Sequence, residues 1–480
     1  MRIRCAVAAM TVQLLAAGVV EAQELTRGPF LQLGATDSMV VVWRTAAPST
    51  GAVEYGPDAG LGLSVESSAP STEHAVALIG LSAGTEYQYR VLSGGVVEAD
   101  GLHFRTFPEA ASAGEFRVVV VGDTGSGNQA QLDVAAGIRL SAPDVGIHTG
   151  DFIYPRGGSD LEMDRKYFGI YAETISRSVI YPTVGNHDLD DGGTVFFGSF
   201  HLPEDSPGGE RYYSFEYGDA LFLILDSNQG MGVGTAQYAW IEEQLAGSRK
   251  LWKIASLHHP LYAAWLAVEA NRRALDPLFA RYGVDLVFQA HAHFYERFYP
   301  MRNGRAVGTA EDPDYQDPDA PIYVVSGGGG GSLAQRNPGA NTAYYASVYH
   351  HVRLDFEGPR LLLSAVGRDN RVFDNMSISK VVAPVFKRGD TDGDGELLIT
   401  DAVRILNYLF LGGALLSCVE ASNFDNSESV DISDGIHVLN YLFRGGPPPA
   451  PPGPPPGGCG PDPDPAGGAG DLGCEEYPGC

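Results

Sequence analysis

Phe116-Arg-Val-Val-Val-Val-Gly-Asp-Thr-Gly-Ser-Gly-Asn128, followed after a helix-like spacer by Asp144-Val-Gly-Ile-His-Thr-Gly-Asp-Phe-Ile-Tyr-Pro-Arg-Gly157, decides the fold. Its two apolar runs, Arg117–Val121 and Val145–Ile147, are short and β-branched and lead into glycine. That pattern predicts strands buried on both faces. Each run delivers an aspartate to the loop at its carboxyl end, Asp123 and Asp151. Open α/β sheets carry their chemistry at that end. Two carboxylates on adjacent parallel strands repel unless a cation lies between them, so the pair points to a metal site.

Working outward, three further apolar runs end in ligand-type residues. Val179–Val184 runs into Gly185-Asn186-His187-Asp188, Trp252–Leu257 into His258-His259-Pro260, and Val284–Phe288 into Ala290-His291-Ala292-His293. A lone H-x-H is ordinarily packing or surface. Five strand ends in this order, each carrying Asp, Asn or His, are far more specific.

The ordered set GDxG, GDxxY, GNHD, HxP and xHxH resembles the metallophosphoesterase superfamily and, within it, the purple acid phosphatases, over about Gly28 to Ser379. The resemblance implies a two-metal centre. Asp123, Asp151, Tyr154 and His293 would hold a ferric ion; Asp151, Asn186, His258 and His291 would hold a divalent one (Zn2+, Mn2+ or Fe2+), with Asp151 bridging. The division suits the donors: carboxylate and phenolate oxygens for a hard trivalent ion, imidazole and amide for a borderline divalent one. Tyr154 narrows the family, since a phenolate on iron(III) gives the purple colour. The expected reaction is hydrolysis of phosphate monoesters by attack of a metal-bound hydroxide, with His187 contacting the phosphate and protonating the leaving alkoxide. No side-chain nucleophile is required.

The sequence departs from the family in three places. Ala290 stands where Gly is usual, and Asp188 replaces the commoner Glu as a residue behind the ligands. Leu261–Asp276 lacks the further active-site histidine that plant-type enzymes carry after HxP, which leaves leaving-group protonation to His187. The H-x-P register selects His258 over its neighbour His259. His74, His103, His148, His201 and the pair His350-His351 are read as packing or surface residues, Asp226 as structural, and Ser326–Ser332, five glycines between two serines, as a flexible turn near the site. No Gly-Lys-Ser/Thr follows that run, so it is not a P-loop.

The chain has 480 residues and a formal net charge of −27, which argues against a nucleic-acid partner and an anionic membrane surface. Residues 1–22 read as a signal peptide, with arginines at 2 and 4, an apolar stretch and Val-Glu-Ala before Gln23. No other segment approaches a membrane span. The expectation is a secreted, cell-surface or periplasmic protein. Residues 24–108 alternate in short strands between turn residues, an all-β sandwich with Trp43, Tyr55, Tyr87 and Tyr89 in its core. It resembles the fibronectin type III-like domain that precedes the catalytic domain in plant-type purple acid phosphatases. Residues 114–380 form the catalytic α/β unit. The resemblance implies a four-layer sandwich: two mixed sheets flanked by helices.

Residues 388–446 contain a repeat: Ile399-Thr-Asp-Ala-Val-Arg-Ile-Leu-Asn-Tyr-Leu-Phe-Leu-Gly-Gly413 recurs as Ile432-Ser-Asp-Gly-Ile-His-Val-Leu-Asn-Tyr-Leu-Phe-Arg-Gly-Gly446. Each copy predicts an amphipathic helix capped by glycine. Asp390, Asp392, Asp394, Glu396 and Asp401 have the spacing of an EF-hand calcium loop with Gly395 at its turn. Asn423, Asp425, Ser427, Asp431 and Asp434 repeat it with Glu428 where Gly is wanted, so a weaker Ca2+ site is expected. The aspartate at position twelve and the missing entry helix resemble a dockerin type I module, which implies a cohesin-like or other surface partner. The 447–480 tail is rich in Pro, Gly and Cys, and its Pro447–Gly458 stretch reads as extended and poorly packed. Cys5 lies in the signal segment; Cys418, Cys459, Cys474 and Cys480 allow three pairings. The favoured function is therefore phosphate-monoester hydrolysis. Phosphodiester or pyrophosphate cleavage on the same metals is the alternative, and a non-catalytic calcium-dependent surface binder is a more distant one.

Overall fold

A computed structural model describes residues 24–110, 114–204, 206–307, 313–381, 384–413, 416–454, 457–464, 468, 470–474 and 477–480. The signal-peptide reading, residues 1–22, lies outside them. They divide into two compact units, through Lys380 and from Val381 onward.

The first unit opens with a β-sandwich. One sheet pairs Leu25–Gln32, Ser38–Ser49 and Ser71–Ile79; the other orders Leu63–Glu66, Gly51–Gly56, Glu86–Ser93 and Val96–Arg105. Alternation decides which side chains face inward. Trp43 and Tyr89 are fully buried, and the Trp43 indole N–H donates to Ser93 Oγ at 3.0 Å. His74 stacks on Trp43 with ring centroids 4.7 Å apart, and burial lowers its pKa, so it is a core residue. The sandwich is anchored to the following domain by Arg27, whose guanidinium reaches Asp164 at 2.5 Å and Asp160 at 2.9 Å.

The α/β part has two mixed sheets. The first runs Val179–Pro182, Val145–His148, Glu115–Val121, His350–Glu357, Arg360–Gly367, Val372–Ser379, Asp314–Gln316. The second runs Tyr213–Tyr217, Ala220–Leu225, Trp252–Leu257, Leu286–Gln289, Ile322–Ser326, Tyr295–Arg302, Arg305–Ala306, with Thr342–Ala346 pairing beside Tyr295–Arg302. Between the sheets lies one core in which Phe116 stacks on Phe356 at 4.4 Å, with Phe222 and Trp252 edge-on to Phe356. The outer face of the second sheet buries Trp240, Ile241 and Leu245 from helix Ala236–Gly247, together with Leu275, Leu278 and Phe279 from helix Glu269–Arg281. Helix Gln129–Ser141 covers the first sheet with Val134 and Ile138, its N-terminus capped by the Asn128 side chain. Burying each such large apolar side chain contributes about 1.5–3 kcal/mol.

This topology places the expected ligand residues. Glu115–Val121 and Val145–His148 are parallel neighbours with Val121 opposite His148, so Asp123 and Asp151 leave the sheet side by side. Trp252–Leu257 and Leu286–Gln289 are likewise parallel, Ser256 opposite Phe288, which brings His258 level with the loop carrying His291 and His293.

In the second unit, helices Ile399–Leu411 and Ile432–Arg444 pack together around Ala402, Ile405, Phe424 and Val438. Each ends at a left-handed glycine, Gly412 and Gly445. Cys418 pairs with Cys474 and Cys459 with Cys480, one of the three combinations open from the sequence. Within the proline stretch, residues 450–452 are bonded to the rest of the unit rather than loosely packed. Arg388 donates from its backbone N–H to Pro452 O at 2.5 Å and from Nε to Pro451 O at 3.1 Å, while Ala450 N–H reaches Phe424 O. Proline carbonyls remain acceptors although the ring nitrogen cannot donate, and the buried Arg388 uses them. No helix among the described residues is long and apolar enough to cross a membrane.

Candidate metal centre

Asp123, Asp151 and His291 have left-handed backbones, with φ of 55°, 61° and 65°. Non-glycine residues pay for that conformation, and it clusters at functional sites. Here it turns each side chain sharply out of its strand end into one small volume. Asp123 and Asp151 are buried there with 0% and 1% exposure.

Tyr154 Oη lies 2.8 Å from Asp123 Oδ1, 2.9 Å from Asp151 Oδ2 and 3.0 Å from His293 Nε2. One phenol hydrogen cannot serve both carboxylates at once. Two carboxylates, a phenol and an imidazole meeting around one oxygen is a donor set that a cation fits. On the other side of Asp151, His258 Nε2 is 3.4 Å from Asp151 Oδ2 and 3.1 Å from Asn186 Oδ1. Ligand atoms of Asp151, His258 and His291 lie within 4.8 Å of one another. All seven residues expected from the motifs therefore converge, with Asp151 between two donor sets. The first set (Asp123, Asp151, Tyr154, His293) fits a hard trivalent ion and the second (Asp151, Asn186, His258, His291) a borderline divalent one.

The imidazoles are aimed by their other nitrogens. His258 Nδ1 bonds Thr149 O at 2.8 Å and His293 Nδ1 bonds Ser332 O at 2.9 Å, which turns each Nε2 inward. Burial disfavours a charge on His258, yet Asp151 outweighs it and raises the pKa to about 10. His293, opposed by burial and supported by Asp123, rises to about 9. Burial works against ionised Asp151 as well, but His258 and the His187 N–H hold its carboxyl well below the ordinary range. Burial first, then Asp123 and Asp151, push the Tyr154 phenol well above 10. Without cations, protons on His258 and His293 balance the carboxylates; cations of the expected kind would replace them.

Asp188 is buried and accepts N–H groups from Asp151 at 2.9 Å, Phe152 at 2.8 Å and Gly185 at 2.8 Å. It thus ties two ligand loops together. Burial first, then the nearby Asp151, raise its pKa to about 7. The His187 ring sits edge-on to Tyr154 at 4.9 Å and is partly open to solvent, while its backbone N–H holds Asp151 Oδ1 at 3.0 Å. His259 faces Ser227 Oγ, with its ring 4.6 Å from that of His291. Asp226 is fully buried and serves Arg211, Asn228 and Gln229, a structural assignment.

The glycine run differs from the flexible turn expected. A Cβ on Gly327 would stand 2.3 Å from Ala292 O, on Gly329 2.4 Å from Gly122 O, on Gly330 2.3 Å from Thr124 O, and on Gly331 2.7 Å from the His293 ring. The run is a closely packed backing for Asp123 and His293, and its Gly content follows from that approach. Its position after strand Ile322–Ser326 was the available signal. His148 and His350 are also buried, bonded to Thr124 and Ser326 hydroxyls, and lie outside the ligand set.

In the second unit, ligand atoms of Asp390, Asp392 and Asp401 lie within 4.8 Å of one another. Asp390 accepts N–H groups from Gly393, Asp394 and Gly395, winding the loop around itself. Asp394 and Glu396 stand outside that trio. Among the described residues the second loop gathers no such trio: Asn423 accepts from Ser427, Asp425 faces His437, Asp434 accepts from Phe424, and Asp431 is taken up as the N-cap of helix Ile432–Arg444.

Residues 116–295 match the family model for calcineurin-like phosphoesterases. Mouse acid phosphatase type 7 is 25% identical over 339 residues, 62% of this chain and 76% of that protein. The Arabidopsis thaliana protein named Fe(3+)-Zn(2+) purple acid phosphatase 12 is 30% identical over 192 residues, 35% of this chain and 41% of the relative. The solved purple acid phosphatase from yellow lupin seeds superimposes with a TM-score of 0.66 at 24% identity, covering 74% of this chain and 75% of that one, a likeness of fold. Fold and matches define a metallophosphoesterase core. That core is purple acid phosphatase-like, and the chain is a phosphoric monoester hydrolase.

Proposed function

We propose that the protein is an exported, purple acid phosphatase-like enzyme that hydrolyses phosphate monoesters on a ferric–divalent pair. The carrying observation is Tyr154 Oη set between Asp123, Asp151 and His293 at hydrogen-bond distance from all three. When bound, such a pair neutralises phosphate charge and makes water nucleophilic at moderate pH. Asp123, Tyr154 and His293 would hold the ferric ion and Asn186, His258 and His291 the divalent one, with Asp151 available to both. Asp188 and the His187 N–H keep Asp151 in register. The half-open His187 imidazole contacts the phosphate and delivers the proton to the leaving oxygen. The named Fe–Zn relative supports iron and zinc as the pair.

The test is metal analysis with a visible spectrum. The purified protein is expected to contain two ions and to absorb in the visible, and Tyr154→Phe to lose that band. An unchanged spectrum in the variant overturns the ferric assignment. For the second unit we propose a dockerin-like role, with Ca2+ bound through Asp390, Asp392 and Asp401 and a weaker site near Asn423 and Asp434, docking onto a cohesin-like or cell-surface partner. The repeat and the converging trio support it. Export is supported by the signal-like residues 1–22 and by two disulfides, which persist in oxidising compartments.

A further inference from the structure

Two loops leaving the metal centre meet outside it in a pair that the centre itself does not use. The first follows His258-His259 and closes on itself where Val268 N–H bonds Pro260 O at 2.7 Å. At its tip Trp265 is 41% exposed, next to Leu266, whose φ of 66° is left-handed for a branched, non-glycine residue. Exposed tryptophan beside a strained residue is a costly combination for a loop with only a connecting role. The second loop is the continuation of the glycine run. Ala334 N–H bonds the carbonyl of His293 at 2.9 Å, and Arg336, two residues on, bonds Tyr345 Oη through its backbone N–H at 2.7 Å. Two residues of chain span at most about 7 Å, so the Arg336 backbone is tethered beside a ligand residue.

The Arg336 guanidinium carbon lies 3.9 Å from the Trp265 ring centroid, a cation–π contact. Its Nη1 donates to Gln335 O, and among the described residues it makes no ion pair with a carboxylate. The contrast with the rest of the chain is informative. In a protein of formal charge −27 most arginines near the active domain have acidic partners, as Arg27, Arg117, Arg211 and Arg297 do. Stacking orders a guanidinium without neutralising it, and the N–H groups not taken by Gln335 O remain free for an oxyanion.

We propose that Arg336, held by Trp265, is a specificity residue that binds a second anionic group, carboxylate or phosphate, on the leaving-group side of the substrate. The inference rests on the monoesterase reading and deepens it. The enzyme would select phosphomonoesters with a further negative charge from those with the reacting phosphate alone, against a global field that repels both. The sequence also offers no further histidine between Leu261 and Asp276 to fill this side of the site.

The test compares kcat and KM for glycerol 3-phosphate, 3-phosphoglycerate and glycerol 1,3-bisphosphate in the full chain, Arg336→Gln and Trp265→Leu. Arg336→Gln is expected to raise KM about tenfold for the two substrates with a second anion, the scale of one solvent-facing charge-assisted hydrogen bond, and to leave glycerol 3-phosphate within twofold. Trp265→Leu is expected to give a smaller shift in the same direction, because the guanidinium remains but is no longer ordered. Loss confined to 3-phosphoglycerate identifies a carboxylate site and loss confined to the bisphosphate a phosphate site; either supports the proposal. Equal effects on all three substrates, or none, overturn it while the monoesterase reading stands. A parent enzyme that hydrolyses none of them overturns that reading, and this inference with it.

Discussion

The two candidate metal regions solve the same problem, holding repelling carboxylates close together, by opposite means. The candidate centre in the first unit gathers its donor side chains from five strand ends between Asp123 and His293, and each is fixed by the two-sheet core, a strained backbone or a carbonyl behind the imidazole. The loop in the second unit takes them from one short stretch, Asp390 to Asp401, on a core as small as Leu397, Ala402, Ile405, Phe424 and Val438, in a unit that also carries two disulfides. A site assembled over long sequence separations is pre-organised by the fold and is as stable as the fold is. A site within one loop depends on its ion and on cross-links, because so small a core supplies little by itself.

The largest effect that could break this contrast is at Asp151. Asp151→Ala is expected to empty both positions and cut turnover about a thousandfold or more, read by metal content and steady-state rates, because the residue stands between both donor sets. A variant that keeps one full equivalent of metal and near-normal rates would refute the shared ligand. Next is the second unit. Replacing Cys418 and Cys474 together with Ser is expected to destabilise it by about 2–4 kcal/mol, followed by calorimetry, while phosphatase activity is retained. If activity fell in parallel, the two regions would not be independent. Asp188→Asn should lower activity or metal affinity about 10–100-fold with the fold intact, since it removes one of the supports behind Asp151 and Gly185 rather than a ligand.

The smallest effect is in pH. His351 is buried in the first unit, bonded to Ser141, and burial holds its pKa down at about 3 against 6.5 unfolded. Between those values the unfolded chain binds the proton and the folded one does not. Its contribution is therefore fully present above pH 6.5 and is lost as pH falls toward 3, by about 1.6 kcal/mol from pH 6.5 to 5. Urea unfolding of His351→Asn should show a shallower loss on acidification than the parent chain; identical slopes would remove His351 as a source of acid sensitivity.

What the sequence disclosed, and what it hid, follows the same division. The convergence of the donor residues was legible because strand ends carry Asp, Asn and His in a fixed order, and a parallel register then brings them together. The repeat in the second unit was legible for the same local reason. Hidden were the contacts made by backbone atoms from distant segments. Thr149 O behind His258, Ser332 O behind His293 and the Phe424 carbonyl that holds Ala450 leave no side-chain signature. The glycine run was visible but misread as loose, because composition records the missing Cβ and not the Ala292, Gly122 and Thr124 carbonyls that require its absence. Arg336 and Trp265 are far apart in sequence and became a pair only in three dimensions.

The left-handed backbones at Asp123, Asp151 and His291 bear on how such chains drift over generations. At those three positions glycine would relieve the torsion while abolishing the chemistry, so architecture and reactivity pull selection in different directions there. A descendant that traded one of them for glycine could keep its shape, gain robustness and hydrolyse nothing. Silence toward phosphate esters in a chain of this shape is thus better sought first at 123, 151 and 291 than in a collapsed scaffold.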